Sequence, residues 1–368
     1  MENKFGSKLS NLVAVSQAKL AVHDNRLCLL YAGGISMVVK DEVLLLLENH
    51  RGDFFSGQEI ADLLSVTRAS VWKAVKSLQK DGYGIEAINN KGYTLKKAPD
   101  MLSAAFIAQK LSENGILTEI QVEKMVDSTN NVLKHYVAEG RKQDMVLLSE
   151  EQSAGRGRRG RSFYSPEGTG IYLSLLLHPD ATPDQGAMLT TLTAVAAAQA
   201  IEKAAGEAVQ IKWVNDLWMR GKKISGILTE GSASLEEGKL EYVIVGIGIN
   251  LYEPSEGFPK ELKDVAGSVF TNDLPRENLR NRLAVEFLIN FMKYYRTFPA
   301  RDYLEEYRKR SFVIGKKVRI LVPEGTPLSP EREFARALSI DDECHLEVRY
   351  EDGVTEKLSS GEISVRVE

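Results

Sequence analysis

The residues Gly155-Arg156-Gly157-Arg158-Arg159-Gly160 satisfy the pattern G-x-G-x-x-G, and the segment on their C-terminal side decides which folds remain open. In a dinucleotide-binding turn such glycines stand between a strand and a helix whose N-terminus receives the phosphates. A strand candidate precedes the segment at residues 145–149. However, Ser162-Phe163-Tyr164-Ser165-Pro166-Glu167-Gly168 cannot begin a regular helix, and a second strand candidate follows at 172–177. The doubly wound dinucleotide fold therefore fails on context. What remains is four arginines, Arg156, Arg158, Arg159 and Arg161, interleaved with glycines that let a backbone approach a ligand. Guanidinium groups stay charged and offer forked donors that match phosphate and carboxylate. A solvated basic loop or a nucleic-acid patch is the plainer reading; the glycine spacing favours an ordered wrap around an anion.

Around that loop, strand candidates at 120–125, 145–149, 172–177, 209–213, 224–229 and 242–249 alternate with helical stretches. One of these, 189–205, is alanine-rich and apolar nearly all round, as a buried helix is. From about Gly315, short alternating runs at 317–321, 345–350 and 363–367 read as a small β-barrel. Towards the N-terminus, 41–49 reads as a helix. Ser56-Gly57-Gln58-Glu59 is a capping box that opens a second, with Ile60, Leu63 and Leu64 on its apolar face. Thr67 can cap a third, which carries Val71, Val75 and Leu78 at i, i+4, i+7. Strand candidates at 85–88 and 93–95 flank the turn Asn89-Asn90-Lys91-Gly92, and 96–100 reads as a linker. A helix-turn-helix followed by a hairpin is a winged helix.

A chain of 368 residues suits two or three domains. The expected class is α+β. Residues 1–36 form an N-terminal extension, either a non-native start, a disordered arm or a small extra element. Residues 37–98 form a winged helix-turn-helix, 99–312 a central mixed α/β domain with a largely antiparallel or mixed sheet, and 313–368 a small SH3-like β-barrel.

The net charge of −4 excludes a protein that is basic all over, so nucleic-acid binding needs a local patch. Residues 67–80 supply one, holding Arg68, Lys73, Lys76 and Lys80 and no acid. Lys73, Lys76 and Lys80 fall opposite the apolar stripe, as on a recognition helix in the major groove, with Lys91 at the wing tip near phosphate. Arg68, Ser70, Lys73, Lys76, Lys80 and Lys91 are the candidate DNA contacts; a merely solvated basic face is the competing reading. Cys28 and Cys344 have no nearby cysteine, so a reducing cytosol suits the chain. His23, His50, His135, His178 and His345 lack metal-ligand spacing, and no transition-metal site is expected. The apolar runs 27–32 and 43–47 are too short to cross a membrane, which leaves a cytoplasmic protein as the expectation.

Several strand ends carry polar groups. Lys212-Trp213-Val214-Asn215-Asp216 puts a lysine, an amide and a carboxylate at the end of one strand candidate. Lys223 starts the next, and Gly246-Ile247-Gly248-Ile249-Asn250 closes a third. Singly, each reads as a snorkelling lysine, an Asx turn or a tight β-bend. Together they read as a site.

These segments resemble the biotin–protein ligase family, and with the winged helix the chain is similar to its bifunctional members, which also repress the biotin operon. The resemblance spans about residues 37–368. It rests on 155–161, on Lys223-Ile224-Ser225-Gly226-Ile227-Leu228-Thr229-Glu230 and on 246–250. Val214 stands where the family usually has proline, and Tyr252 where it often has asparagine.

The resemblance implies two half-reactions. Biotin carboxylate attacks the α-phosphate of ATP to give biotinyl-5′-AMP, and a lysine of a biotin carboxyl carrier protein, such as that of acetyl-CoA carboxylase, then takes the biotinyl group. It implies that Ser128, Thr129, Asn130 and Gln152 bind the ureido ring, and that Arg156, Gly157 and Arg158 fold over biotin and adenylate. Lys223 would reach the carboxylate and α-phosphate. Lys212, Asp216 and Asn250 would lie near phosphates and metal, with Phe163 against adenine and Arg161 and Asn215 on the nucleotide. Arg158, Lys212, Asp216 and Lys223 are the implied catalytic set. Mg²⁺ would arrive with ATP, near Asp216. Asp127-Ser128-Thr129-Asn130 is equally a helix N-cap, a reading compatible with ligand binding. The resemblance further implies that biotinyl-5′-AMP acts as corepressor, inducing a homodimer that binds operator DNA. A ligand-sensing transcription factor with an inactive ligase domain, or a lipoate-type ligase, are the alternatives; the retained Arg158, Lys212, Asp216 and Lys223 and the glycine–arginine loop oppose them.

Overall fold

The structure is a computed structural model that describes residues 21–23, 26–28, 38–234, 236–271, 275–321, 329–359 and 364–367. Most of the expected N-terminal extension lies outside these; within it, strands β1 (Ala21–His23) and β2 (Arg26–Cys28) pair antiparallel. The chain divides into two compact units. Met1–Pro99 with Ala105–Glu119 form the first, and Asp100–Ala104 with Ile120–Glu368 the second.

In the first unit, helices α1 (Val39–Asn49), α2 (Gly57–Leu63) and α3 (Arg68–Lys80) precede the hairpin of β3 (Gly84–Ile88) and β4 (Gly92–Lys97). The capping box forms as its spacing predicts. Ser56 Oγ accepts from the Glu59 N–H at 3.1 Å, and Glu59 Oε2 accepts from the Ser56 N–H at 2.7 Å. Thr67 Oγ1 caps α3 by accepting the Ser70 N–H at 3.1 Å. Such caps are worth about 1 kcal/mol each. Val71, Ala74, Val75 and Leu78 bury one face of α3 against Val43, Leu47, Ile60 and Leu95. The expected linker is shorter than its composition suggests: Lys96 and Lys97 belong to β4, and Ala98 is buried in this core. Helix α4 (Ala104–Glu113) follows.

The second unit is built on a seven-stranded sheet in the order β5-β6-β7-β11-β10-β9-β8. Its strands are β5 (Glu119–Val126), β6 (Met145–Gln152), β7 (Gly170–Leu177), β8 (Gln210–Lys212), β9 (Asp216–Met219), β10 (Lys222–Ala233) and β11 (Leu240–Asn250). From β6 across to β8 every pairing is antiparallel, which accords with the mixed, largely antiparallel sheet expected. All eight residues of β7 are buried, as befits a strand covered on both faces.

Two helices supply that cover. On one face, α5 (Thr129–Ala138) packs Leu133 against Met145, Leu147, Leu176 and Ile244. On the other lies α6 (Gly186–Ala205), buried along most of its length; Thr190 and Thr229 share a hydroxyl hydrogen bond of 2.7 Å. Thr229 pairs with Val245, the neighbour of Ile244, and neighbours along a strand point to opposite faces. Helices α7 (Leu279–Tyr295) and α8 (Leu304–Arg310) complete this layer. Asp100 Oδ1 accepts the Arg280 N–H at 2.8 Å, and the wholly buried Arg280 guanidinium is paired with Glu150.

The C-terminal segment departs from the expected barrel. Strands β12 (Lys317–Leu321), β13 (Phe334–Ile340), β14 (Leu346–Tyr350), β15 (Thr355–Leu358) and β16 (Ser364–Val367) form an antiparallel sheet in the order β15-β14-β13-β12-β16. Among the described residues it is not closed, with β15 and β16 at its edges. Three of the four β15 residues are exposed. Alternation fits a half-solvated open sheet as well as it fits a barrel stave, so the pattern alone cannot separate the two. No helix among the described residues is long and apolar enough to cross a membrane.

Candidate functional site

The glycine–arginine segment folds back on itself as a short hairpin. Phe163 N–H donates to Gly155 C=O at 2.8 Å, and Gly157 N–H to Arg161 C=O at 2.7 Å. Arg159 and Gly160 turn the tip with φ of +58° and +70°. Gly155 is needed for close approach, because a Cβ there would stand 2.3 Å from the Phe163 carbonyl oxygen. The next regular element is the strand β7, not a helix. The hairpin borders a cavity of about 460 Å³ within the second unit.

Strand register brings the expected residues to that cavity. In β11, Gly246 and Gly248 pair with Ser174 and Tyr172 on one side and with Leu228 and Gly226 on the other; Gly226 in turn pairs with Asp216, and Asp216 with Lys212. Paired residues share a face, and here it is the face that α5 covers. Lys223 would point the other way by simple alternation from Gly226. A β-bulge between Lys223 and Ser225 inserts one residue, so that Lys223 pairs with Trp218 and joins the cavity face. Its Nζ then stands 2.6 Å from Asp216 Oδ1.

Much of the lining is cationic. Among the described residues, Arg156, Arg158, Arg159, Arg161, Lys212 and Lys223 line the cavity against one carboxylate, Asp216. Burial lowers the pKa of Arg158, helped by the charge of Arg159, while Asp216 and Tyr307 act the other way. Its Nη1 donates to Asn215 Oδ1 at 3.4 Å, and Asn215 Nδ2 donates to Ile227 C=O at 2.8 Å. Asn250 Nδ2 donates to Gly267 C=O at 3.1 Å. Arg156 is held by Asn131 Oδ1 at 2.8 Å and by Glu230 Oε1 at 3.1 Å. Burial opposes ionisation of Glu230, but hydrogen bonds from Lys134 and Asn130 and the charges of Lys134 and Arg156 outweigh it and keep its pKa below the ordinary value.

The lining also includes uncharged polar groups. Ser128, Thr129 and Asn130 open α5 and are all buried. The Ser128 hydroxyl makes no cap bond, so the N-cap alternative is not realised by that side chain. Gln152 Oε1 accepts from Thr129 N–H at 2.9 Å, and Gln152 Nε2 donates to Ser165 Oγ at 2.9 Å. Asn130 Nδ2 donates to Glu230 Oε2 at 2.9 Å, and its Oδ1 lies 2.6 Å from Ser174 Oγ. A Cβ on Gly246 would meet Asn130 Oδ1 at 2.2 Å, and one on Gly248 would meet the Phe163 ring at 2.3 Å. The two glycines are where strand β11 lets Asn130 and Phe163 settle onto it.

The six candidate DNA contacts lie in the first unit. Arg68, Lys73, Lys76 and Lys80 are exposed on α3, Ser70 is half-buried beside its cap, and Lys91 is exposed on the turn between β3 and β4. Lys91 Nζ stands 5.9 Å from the Phe54 ring centroid.

Comparison with known proteins decides the family. The profile of the Biotin/lipoate A/B protein ligase family matches residues 122–250, an HTH domain matches 40–94, and the Biotin protein ligase C terminal domain matches 313–366. The bifunctional ligase/repressor BirA of Bacillus spizizenii is 35% identical over 334 residues, spanning 89% of this chain and 98% of that protein. That of Escherichia coli is 28% identical over 334 residues, 88% and 96% of the two chains. The chain belongs to the bifunctional biotin ligase and repressor family. The fold agrees. The Aquifex aeolicus biotin protein ligase in complex with biotin and ATP superimposes with a TM-score of 0.54 at 25% identity, covering 68% of this chain and 99% of that one.

Several residues that shape this ligase/repressor's cavity escaped sequence reasoning. Ser174 carried a signal, being the one polar residue in the apolar run of β7. Trp218 and Phe312, edge-to-face at 5.8 Å, form an aromatic wall but look like ordinary core. The two departures from the family pattern have structural partners. The Trp213–Val214 peptide is cis, and Val214 C=O accepts from the buried Tyr307 hydroxyl at 3.0 Å. Tyr252 OH donates to Asp100 Oδ2 at 2.6 Å and accepts the Arg276 N–H at 2.9 Å. Away from the cavity, Asp341, Glu343 and His345 approach one another closely, but Lys357 and Arg301 already pair with the two carboxylates.

Proposed function

We propose that the chain is a biotin–protein ligase that joins biotin to a lysine of a biotin carboxyl carrier protein through biotinyl-5′-AMP, and a repressor that uses this adenylate as corepressor. The observation that carries the reading is the cavity itself. One continuous space is lined by the uncharged hydrogen-bonding groups Ser128, Thr129, Asn130 and Gln152 and, among the described residues, by six cations and one carboxylate.

That polarity suits the chemistry. A biotin carboxylate oxygen bonds to the α-phosphorus of ATP, the bond to the β-phosphate bridge breaks, and pyrophosphate leaves. The acceptor amine then attacks the acyl carbon, AMP departs, and the amine proton is lost. Two anions must meet in the first step while charge grows on phosphate oxygens, so fixed cations lower the barrier. Lys223 and Arg158 are assigned to the carboxylate and α-phosphate, and Lys212 to the departing pyrophosphate. Ser128, Thr129, Asn130 and Gln152 bind the ureido ring. Phe163 stacks on adenine, with Arg161, Asn215 and Asn250 on the nucleotide. Arg156 and Gly157 belong to the hairpin that closes over the adenylate.

Mg²⁺ binds oxygen ligands and keeps water and substrate phosphate in its shell, so one protein carboxylate suffices. Asp216, the one carboxylate lining the cavity among the described residues, fits that need. The ion would neutralise phosphate charge there.

In the first unit, the exposed cations of α3 and Lys91 are assigned to the phosphates of an operator. Adenylate-dependent dimerisation would present two winged helices to a two-fold site. The cysteine usage fits a reducing cytosol.

The test is two-part. Biotin incorporation into a carrier-domain lysine should require ATP and Mg²⁺, with lipoate as a poor substitute. Operator retention by the same protein should tighten when biotin and ATP are both present; equal affinity with and without them sinks the corepressor role.

A further inference from the structure

Helix α3 leaves one large apolar side chain in water. Its buried face is Val71, Ala74, Val75 and Leu78. Its opposite face, exposed throughout, reads Ala69, Trp72, Lys73, Lys76 and Lys80. Trp72 is 54% exposed, whereas Trp213 is 2% exposed in the core of the second unit. Burying a large apolar side chain is worth about 1.5–3 kcal/mol, and among the described residues of the first unit the indole of Trp72 leaves most of that unrealised.

Ala69, Trp72 and Lys73 lie in the N-terminal half of the helix and Lys76 and Lys80 in its C-terminal half, with Arg68 at its first position. In helix-turn-helix proteins the N-terminal residues of the recognition helix meet base edges, while flanking cations meet phosphate. The thymine C5-methyl is the apolar group displayed in the major groove, and apolar side chains read it. We infer that Trp72 is a sequence-reading residue of the DNA surface, packing its indole against a thymine methyl in each half-site while Lys73, Lys76, Lys80 and Lys91 neutralise phosphates. The inference rests on the repressor reading and adds to it the base group that is read.

The experiment uses the full chain with biotin, ATP and Mg²⁺ to enrich a motif from randomised 40-bp duplexes (a length chosen at about four helical turns). Each thymine of the enriched duplex is then replaced singly by deoxyuridine, which lacks the methyl. For the wild type, one replacement per half-site should weaken binding about 4-fold, the equivalent of one lost methyl contact. W72A, verified as folded by its thermal transition, should bind duplex with an unchanged salt slope and show no sensitivity to deoxyuridine. K76A should instead weaken binding to all sequences and lower the salt slope by about 1. W72A with the same deoxyuridine sensitivity as wild type overturns the inference. So does W72A that loses self-association but keeps its motif, since the tryptophan would then face protein. A wild type that enriches no motif removes the inference together with the repressor reading, and is distinguishable from both.

Discussion

Lys223 Nζ and Asp216 Oδ1 form an ion pair of 2.6 Å across the β9–β10 bulge. The pair holds the lysine over the cavity and balances the carboxylate of Asp216, which lines it. In the proposed reaction, substrate would compete with Asp216 for the ammonium and Mg²⁺ would compete with the ammonium for Asp216, so that the two charges would separate onto opposite partners.

Removing either member should separate chemistry from folding. Lys223→Ala should lower adenylate formation by at least about 100-fold, as expected for loss of a fixed cation on the reacting groups. Its circular dichroism should be unchanged, because no core packing is removed. Asp216→Asn combined with Lys223→Ala should cost less than the sum of the single losses, since the residues act as a unit. Steady-state kinetics on the three variants measures this coupling.

Arg158→Lys keeps a charge but loses the fork and the planar contact with Asn215. Adenylate formation should fall by about 10- to 100-fold, in kcat more than in the KM for biotin. A variant as active as wild type would mean that Arg158 supplies only a diffuse positive charge.

Gly246→Ala and Gly248→Ala test the two close approaches on β11. The first pushes a methyl into Asn130 Oδ1 and the second into the Phe163 ring. Each overpacked contact should cost about 1–3 kcal/mol of stability. The kinetic effects should differ, with Gly246→Ala raising the KM for biotin and Gly248→Ala that for ATP.

Glu230 gives a pH signature. Its pKa is lowered in the folded protein, so its carboxylate stabilises the fold at pH above the ordinary glutamate range, and this contribution is lost as the pH falls through the lowered value. Its partners Lys134 and Arg156 are partly exposed, which limits the gain to about 1 kcal/mol. Thermal melts of wild type and Glu230→Gln should differ at pH 7 and converge as the pH falls below the ordinary glutamate range.

Much of this was legible from residue order because local chemistry governed it. Ser56 with Glu59, and Thr67, cap helices wherever they precede an apolar periodic run, and they do so here. Pro166 and Gly168 after the arginines ruled out a helix, and β7 takes its place. What stayed hidden depends on register. A bulge beside Ile224 adds one residue to β10 and turns Lys223 onto the cavity face; no alternation pattern displays an extra residue. The contacts of Glu230 with Asn130, Lys134 and Arg156 join positions about 70–100 apart in the chain, and only the folded sheet brings them together. Closure of the C-terminal sheet is equally a long-range matter, which short alternating runs leave undetermined.

Formation of an acyl-adenylate beside the glycine–arginine hairpin can be followed by exchange of labelled pyrophosphate into ATP. Exchange should require biotin and Mg²⁺ and disappear in Lys223→Ala. Folded wild-type protein that binds biotin and ATP yet catalyses no biotin-dependent exchange would contradict adenylate formation there.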